Sequence, residues 1–121
     1  MLLFVYGTLR KGFAHAMAKA LNNRSEYIGY AWIHAQLYDL GMYPGIVLST
    51  QEKHKVFGDL YELKDLSFLS DLDDYEGEQY KKTTTKVYCK EKIYQAHVYE
   101  LCIPCNGFTI ISSGDYITYL K

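Results

Sequence analysis

The sequence predicts an α+β fold in which a small, mostly antiparallel or mixed β-sheet, curled toward a barrel, is flanked by two or so helices. Two observations carry this. Strand-like segments outnumber helical ones, and the two helical segments are separated by several consecutive strands rather than alternating with them one for one. The order excludes a Rossmann unit, because no G-x-G-x-x-G follows the first strand, and a P-loop is missing as well.

Residues 2–6 are short, almost uniformly apolar and ended by Gly7, the mark of a buried strand rather than a helix. They lack the basic flank and the length of a secretory leader. Residues 14–21 are rich in strong helix formers, with Asn22-Asn23 as the stop. Over residues 27–38 the chain alternates, with Ala31, Ile33, Ala35 and Leu37 on one face and Tyr30, Trp32, His34 and Gln36 on the other, which predicts one strand. Residues 41–45 are a turn-rich loop, 46–48 a short strand, and 56–63 a strand with Gly58 inside it. Asp65 is placed to cap a helix running to about residue 75, with Leu66, Leu69 and Leu72 on one face and Gly77 as the C-cap. Residues 83–89 and 93–101 form a predicted hairpin through Lys90-Glu91-Lys92. Ser113-Gly114-Asp115-Tyr116 turns into a short terminal segment.

All 121 residues read as one domain, 1–121, since no linker or shift in composition divides them. With 49% hydrophobic and 22% charged residues the chain is able to bury a core. No apolar run approaches the roughly 20 residues that span a bilayer. Thirteen basic and 14 acidic residues, spread along the chain, leave no basic stripe for phosphates, so neither nucleic acid nor membrane is expected as a partner. Cys89, Cys102 and Cys105 are three and cannot all pair within one chain, which favours reduced thiols and a cytoplasmic location. The 13 tyrosines suit half-buried strands and pocket walls, and most are expected to be structural.

Two constellations are able to carry chemistry. The first runs from Val5 through Tyr6-Gly7-Thr8-Leu9 to Arg10-Lys11-Gly12. Where a strand ends in glycine before a helix, backbone N–H groups are free to face an anion or a polarised carbonyl, and glycine lets a ligand come close. Any strand-to-helix turn favours the same residues, and Arg10 and Lys11 read as a solvated face. The second is Asp73-Asp74-Tyr75-Glu76-Gly77-Glu78-Gln79-Tyr80. A carboxylate at a helix C-terminus meets the negative end of the dipole, and Asp73 and Asp74 add like charge, so the Glu76 pKa is expected to rise. That suits a group which must take a proton and return it; an acidic, exposed helix end without function has the same sequence.

Taken together, Tyr6-Gly7-Thr8-Leu9 at the end of a first strand and Glu76-Gly77 followed by Tyr80 resemble the gamma-glutamylcyclotransferase-like family. The likeness extends through Tyr43-Pro44-Gly45, Gly58-Asp59-Leu60-Tyr61 and Ser113-Gly114-Asp115-Tyr116, and so covers nearly the whole chain in order. The resemblance implies a small barrel-like fold, a Tyr6–Leu9 loop that binds the glutamyl part of a small γ-glutamyl substrate, and Glu76 as the essential acid/base. It implies an intramolecular reaction that releases 5-oxoproline and a free amine, with neither metal nor organic cofactor. Tyr6, Tyr80 and Tyr99 are expected as pocket walls, Asp115 and Tyr116 as closure of the fold, and the cleft as open at the leaving-group end.

Cys102-Ile103-Pro104-Cys105 departs from that pattern. C-x-x-C raises redox or zinc chemistry, but a turn signal follows it, and Cys89 and His97 complete no familiar zinc spacing, so a strand end is the reading preferred. His15, His34, His54 and His97 show no ligand spacing and are read as surface or half-buried. A rival from another class is a protein of this fold that binds a small molecule or partner without catalysis; Glu76 is the feature that favours the enzyme.

Overall fold

The structure is a computed structural model that describes residues 1–11, 13 and 15–121. Gly12 of the first constellation and Ala14, the expected start of the first helix, lie outside the described residues. The chain runs β1 (Leu2–Val5), α1 (Ala16–Asn23), β2 (Ser25–Ile33), β3 (Ala35–Asp39), β4 (Pro44–Leu48), β5 (Val56–Leu63), a 3-10 turn (Leu66–Phe68), α2 (Leu69–Glu76), β6 (Tyr80–Cys89), β7 (Lys92–Leu101), β8 (Thr109–Ile110) and α3 (Tyr116–Leu120). Five strands close a barrel in the order β1-β5-β2-β6-β7, and β4-β3-β8 form a separate three-stranded sheet. All of the pairings are antiparallel except β1 with β7, where Leu3 lies opposite His97.

β1 is apolar on both faces because both are covered. Phe4 joins a cluster drawn from every barrel strand, including Ala31, Ile33, Leu60, Val87, Ala96 and Val98, which is therefore the barrel interior. Leu3 and Val5 point the other way, into a second cluster with Leu21 of α1, Leu72 of α2, Phe68, Tyr61 and Tyr99. Two helices thus seat on the outer wall beside β1, and the end of β1 emerges between two apolar layers.

Several expectations are corrected. The alternation over residues 27–38 is real, with Ala31, Ile33, Ala35 and Leu37 all buried. It is nevertheless cut at His34 into two strands, because β2 continues in the barrel while β3 pairs with β4 and β8. Asp65 does cap a turn, accepting from Ser67 N–H, and Gly77 is the C-cap. Leu66, however, is 60% exposed, and Phe68 takes the buried position because the first turn is 3-10 rather than α. The 90–92 link is a tight turn with Lys90 and Glu91 at φ 50° and 65°, which matches the twist of the flanking strands. The terminal segment is a third helix, capped by Asp115, which accepts from Thr118 N–H.

The largest correction concerns Arg10. In place of a solvated side chain, Arg10 is 6% exposed and lies between two carboxylates, Asp59 Oδ2 at 3.5 Å and Asp115 Oδ1 at 2.8 Å. Asp59, 4% exposed, also accepts from Lys11 N–H at 2.8 Å and from the Tyr27 hydroxyl at 3.0 Å. The Asp59 interaction raises the Tyr27 phenol, already pushed up by partial burial, to about 12. A guanidinium offers five donors and cannot shed its charge, so its burial demands such acceptors. The 6–11 segment is thereby tied to β5 and, through the α3 cap, to the end of the chain.

Asp59→Asn removes one of the two carboxylate charges facing Arg10 and leaves the buried guanidinium with Asp115 alone, so it is expected to cost about 1–3 kcal/mol in urea unfolding near neutral pH; a cost below about 0.5 kcal/mol would mean that the pair carries little. Burial alone raises the Asp115 pKa, but the Thr118 N–H and Arg10 outweigh it and hold the group below its ordinary value. Its contribution to stability is therefore present above about pH 4 and lost as pH falls below that.

Candidate active site

A cavity of about 390 Å³ opens where β1 ends. Its lining comes from Phe4 to Leu9, His15, Met42 to Pro44, Tyr75, Glu76, Tyr80 and Tyr99, so every site residue expected from the sequence is brought to one place: Tyr6, Gly7, Thr8, Leu9, Glu76, Tyr80 and Tyr99.

The turn after β1 closes with Arg10 N–H donating to Gly7 C=O at 3.1 Å. The N–H groups of Gly7, Thr8 and Leu9 donate to no described residue, so three adjacent backbone donors stand ready at the cavity wall. Gly7 is glycine for a reason of packing as well. A Cβ there would stand 2.7 Å from Pro44 Cγ, so the missing side chain is what lets β4 press its proline against the turn.

Glu76 is the last residue of α2, and Gly77 turns the chain away at φ 81° while its N–H donates to Asp73 C=O at 3.0 Å. The Glu76 carboxyl is pushed up from 4.5 to about 7. The direction is the one expected, but the cause is different: burial alone accounts for it, and neither Asp73 nor Asp74 contributes. Asp73 is turned to other partners, accepting from the Tyr99 hydroxyl at 2.6 Å and pairing with Lys82 at 3.3 Å.

The three wall tyrosines converge on Glu76. Burial raises the phenols of Tyr6 and Tyr80, with the Glu76 charge as the second cause. For Tyr99, burial comes first, then the hydrogen bond and charge of Asp73, then Glu76. Each hydroxyl is already committed: Tyr6 to Tyr99 C=O at 2.8 Å, Tyr80 to Pro44 C=O at 2.6 Å, and Tyr99 to Asp73. These phenols therefore act as rigid, neutral walls around one carboxyl.

Residues 3–118 match the family model described as gamma-glutamyl cyclotransferase, AIG2-like. The chain belongs to this family. A gamma-glutamylcyclotransferase family protein of Citrobacter rodentium is 34% identical over 97% of this chain and 96% of its own. Among solved structures, YkqA of Bacillus subtilis superposes with a TM-score of 0.76 at 32% identity, covering 99% of this chain and 42% of that one. An AIG2-like protein of Mus musculus shares the fold, with a TM-score of 0.74 at 22% identity over 92% of this chain and 85% of that one.

Within this cyclotransferase-family site, sequence reading missed Phe4, His15, Met42, Tyr43, Pro44 and Tyr75 as lining residues. Pro44 and Tyr75 stood inside the quoted motifs, and only their neighbours' chemistry drew notice. His15 falls within the predicted helix-forming run 14–21, whereas it is the N-cap of α1, which starts at Ala16. Cys102 is exposed at the end of β7, its Sγ donating to Glu78 C=O at 3.2 Å, and Cys105 is half-buried; all three cysteines are free thiols.

An unfolded glutamate ionises near 4.5 and the folded Glu76 near 7. Between those values the unfolded state releases a proton that the folded state keeps, so stability falls as pH rises through this window and levels off above it. Urea midpoints of the wild type are expected to drop from pH 5 to about 8 relative to those of Glu76→Gln; parallel curves would show that Glu76 is not buried as described.

Proposed function

We propose that the protein is a γ-glutamyl cyclotransferase in which Glu76 shuttles the proton and the Tyr6–Leu9 turn holds the glutamyl group. The observation that carries this is a single carboxyl, raised to about 7, lining the same cavity as three backbone N–H groups that donate to no described residue. In the reaction the substrate α-ammonium gives a proton to the Glu76 carboxylate. The freed amine attacks the γ-carbonyl carbon, a new C–N bond closes the five-membered ring, and a tetrahedral oxyanion forms.

On collapse the original C–N bond breaks as Glu76 returns its proton to the departing nitrogen; the second hydrogen of the attacking nitrogen then passes by way of the same carboxyl to the leaving amine, so the ring nitrogen ends as the lactam N–H of 5-oxoproline and the amine departs as an ammonium. Atoms and charge balance without an added cofactor. A pKa near 7 suits both halves of the cycle, since the group must be ionised to begin and acidic enough to finish. The Gly7, Thr8 and Leu9 N–H groups are the donors for the oxyanion or for the α-carboxylate. Confinement by Tyr6, Tyr80 and Tyr99 favours the folded-back conformer that ring closure needs.

Met42 is 89% exposed at the cavity lining, which supports an open end for the leaving amine. The three free thiols support a reducing, cytoplasmic setting.

Purified protein incubated with a panel of γ-glutamyl amines and peptides is expected to release 5-oxoproline, with Glu76→Gln slower by about 10²–10⁴-fold. The wild-type kcat/KM is expected to rise through a pKa near 7, and the residual rate of the variant to lack that limb. Folded protein that releases nothing across the panel would move the assignment to binding without catalysis.

A further inference from the structure

His15 lines the cavity beside Thr8 and Tyr75. It is the N-cap of α1, and Met17 N–H donates to its Nδ1 at 3.1 Å. A ring nitrogen that accepts carries no hydrogen, so the neutral imidazole bears its proton on Nε2. Nε2 faces the Tyr75 hydroxyl at 3.4 Å, and the two rings meet edge to face with centroids 5.3 Å apart. If Nε2–H donates, the Tyr75 oxygen accepts, and the phenol's own hydrogen goes to Thr8 Oγ1, 2.6 Å away. Thr8 then accepts, and its hydroxyl hydrogen is left for the cavity that all three residues line.

We propose that His15 and Tyr75 are positioning residues. They set a one-way line of hydrogen bonds, from the first turn of α1 through Nε2 and the phenol to Thr8, so that Thr8 meets its ligand as a donor. The ligand atom it selects is an acceptor oxygen, as in the carboxylate or carbonyl of a γ-glutamyl group; only that identity rests on the cyclotransferase reading. Run in reverse, the same line would aim a Thr8 lone pair at the cavity and favour an ammonium instead. The direction is decided remotely, because a helix N-terminus has N–H groups to give and no carbonyls to offer.

Two measurements test this. In protein labelled with ¹⁵N-histidine, and with His15→Gln used to assign the signal, His15 is expected as the Nε2–H tautomer, with ring resonances that move in Tyr75→Phe. An Nδ1–H tautomer, or a signal indifferent to the phenol, would overturn the proposal. In steady-state kinetics Tyr75→Phe is expected to raise KM on the order of tenfold, more than it lowers kcat, and to add nothing in a Thr8→Val background. Effects that multiply in the double variant would mean that Tyr75 does not act through Thr8. Should the wild type release no 5-oxoproline, the cyclotransferase reading falls, and the tautomer measurement alone still decides the hydrogen-bond line.

Discussion

The Arg10 guanidinium, held between Asp59 and Asp115, is the contact on which the rest of the site depends. The Gly7–Leu9 turn is closed by one internal hydrogen bond, Arg10 N–H to Gly7 C=O, and its other N–H groups donate to no described residue. Its position is set from just downstream, where Arg10 and the Lys11 N–H both reach Asp59 on β5. Asp115 adds the C-terminal segment, because the carboxylate that caps α3 also meets Arg10. Buried charges are costly to desolvate, so this cluster is better understood as a device for register than as a source of net stability.

Glu76 shows the opposite arrangement, a half-buried carboxyl with no cation paired to it among the described residues. Leu72 and Phe68 seat α2 against Leu3, Val5 and Tyr99, and the seating draws the last residue of the helix into the cavity. Burial then raises its pKa, and the surrounding phenols, themselves pushed away from ionisation, offer no charge to lower it. The protein accepts some loss of stability above neutral pH in exchange for a carboxyl whose proton is exchangeable near neutrality. The same packing that stabilises the helix therefore tunes the group it carries.

Much of this was legible because it is local. Apolar residues 2–6 ending at Gly7, the alternation from Ala31 to Leu37, and the Asp65 cap with Gly77 at the far end each state their element within a few residues. The gathering of Tyr6, Gly7, Thr8, Leu9, Glu76, Tyr80 and Tyr99 was also anticipated, through the order of the motifs rather than through any one of them. The failures share a cause. Leu66 was assigned a buried face by α-helical spacing, and the 3-10 turn moved that role to Phe68. Arg10 looked solvated because its partners lie 49 and 105 residues away.

By itself the sequence determined most of the strands and turns, though not β8, and the residue types that chemistry requires, since backbone propensity and side-chain period act over a handful of neighbours. Only the tertiary structure decided that the strand through His34 breaks between two sheets, that Glu76 owes its pKa to burial rather than to Asp73, and that His15 joins Tyr75 and Thr8. Desolvation and hydrogen-bond direction depend on what surrounds a group in three dimensions, and those surroundings come from distant parts of the chain.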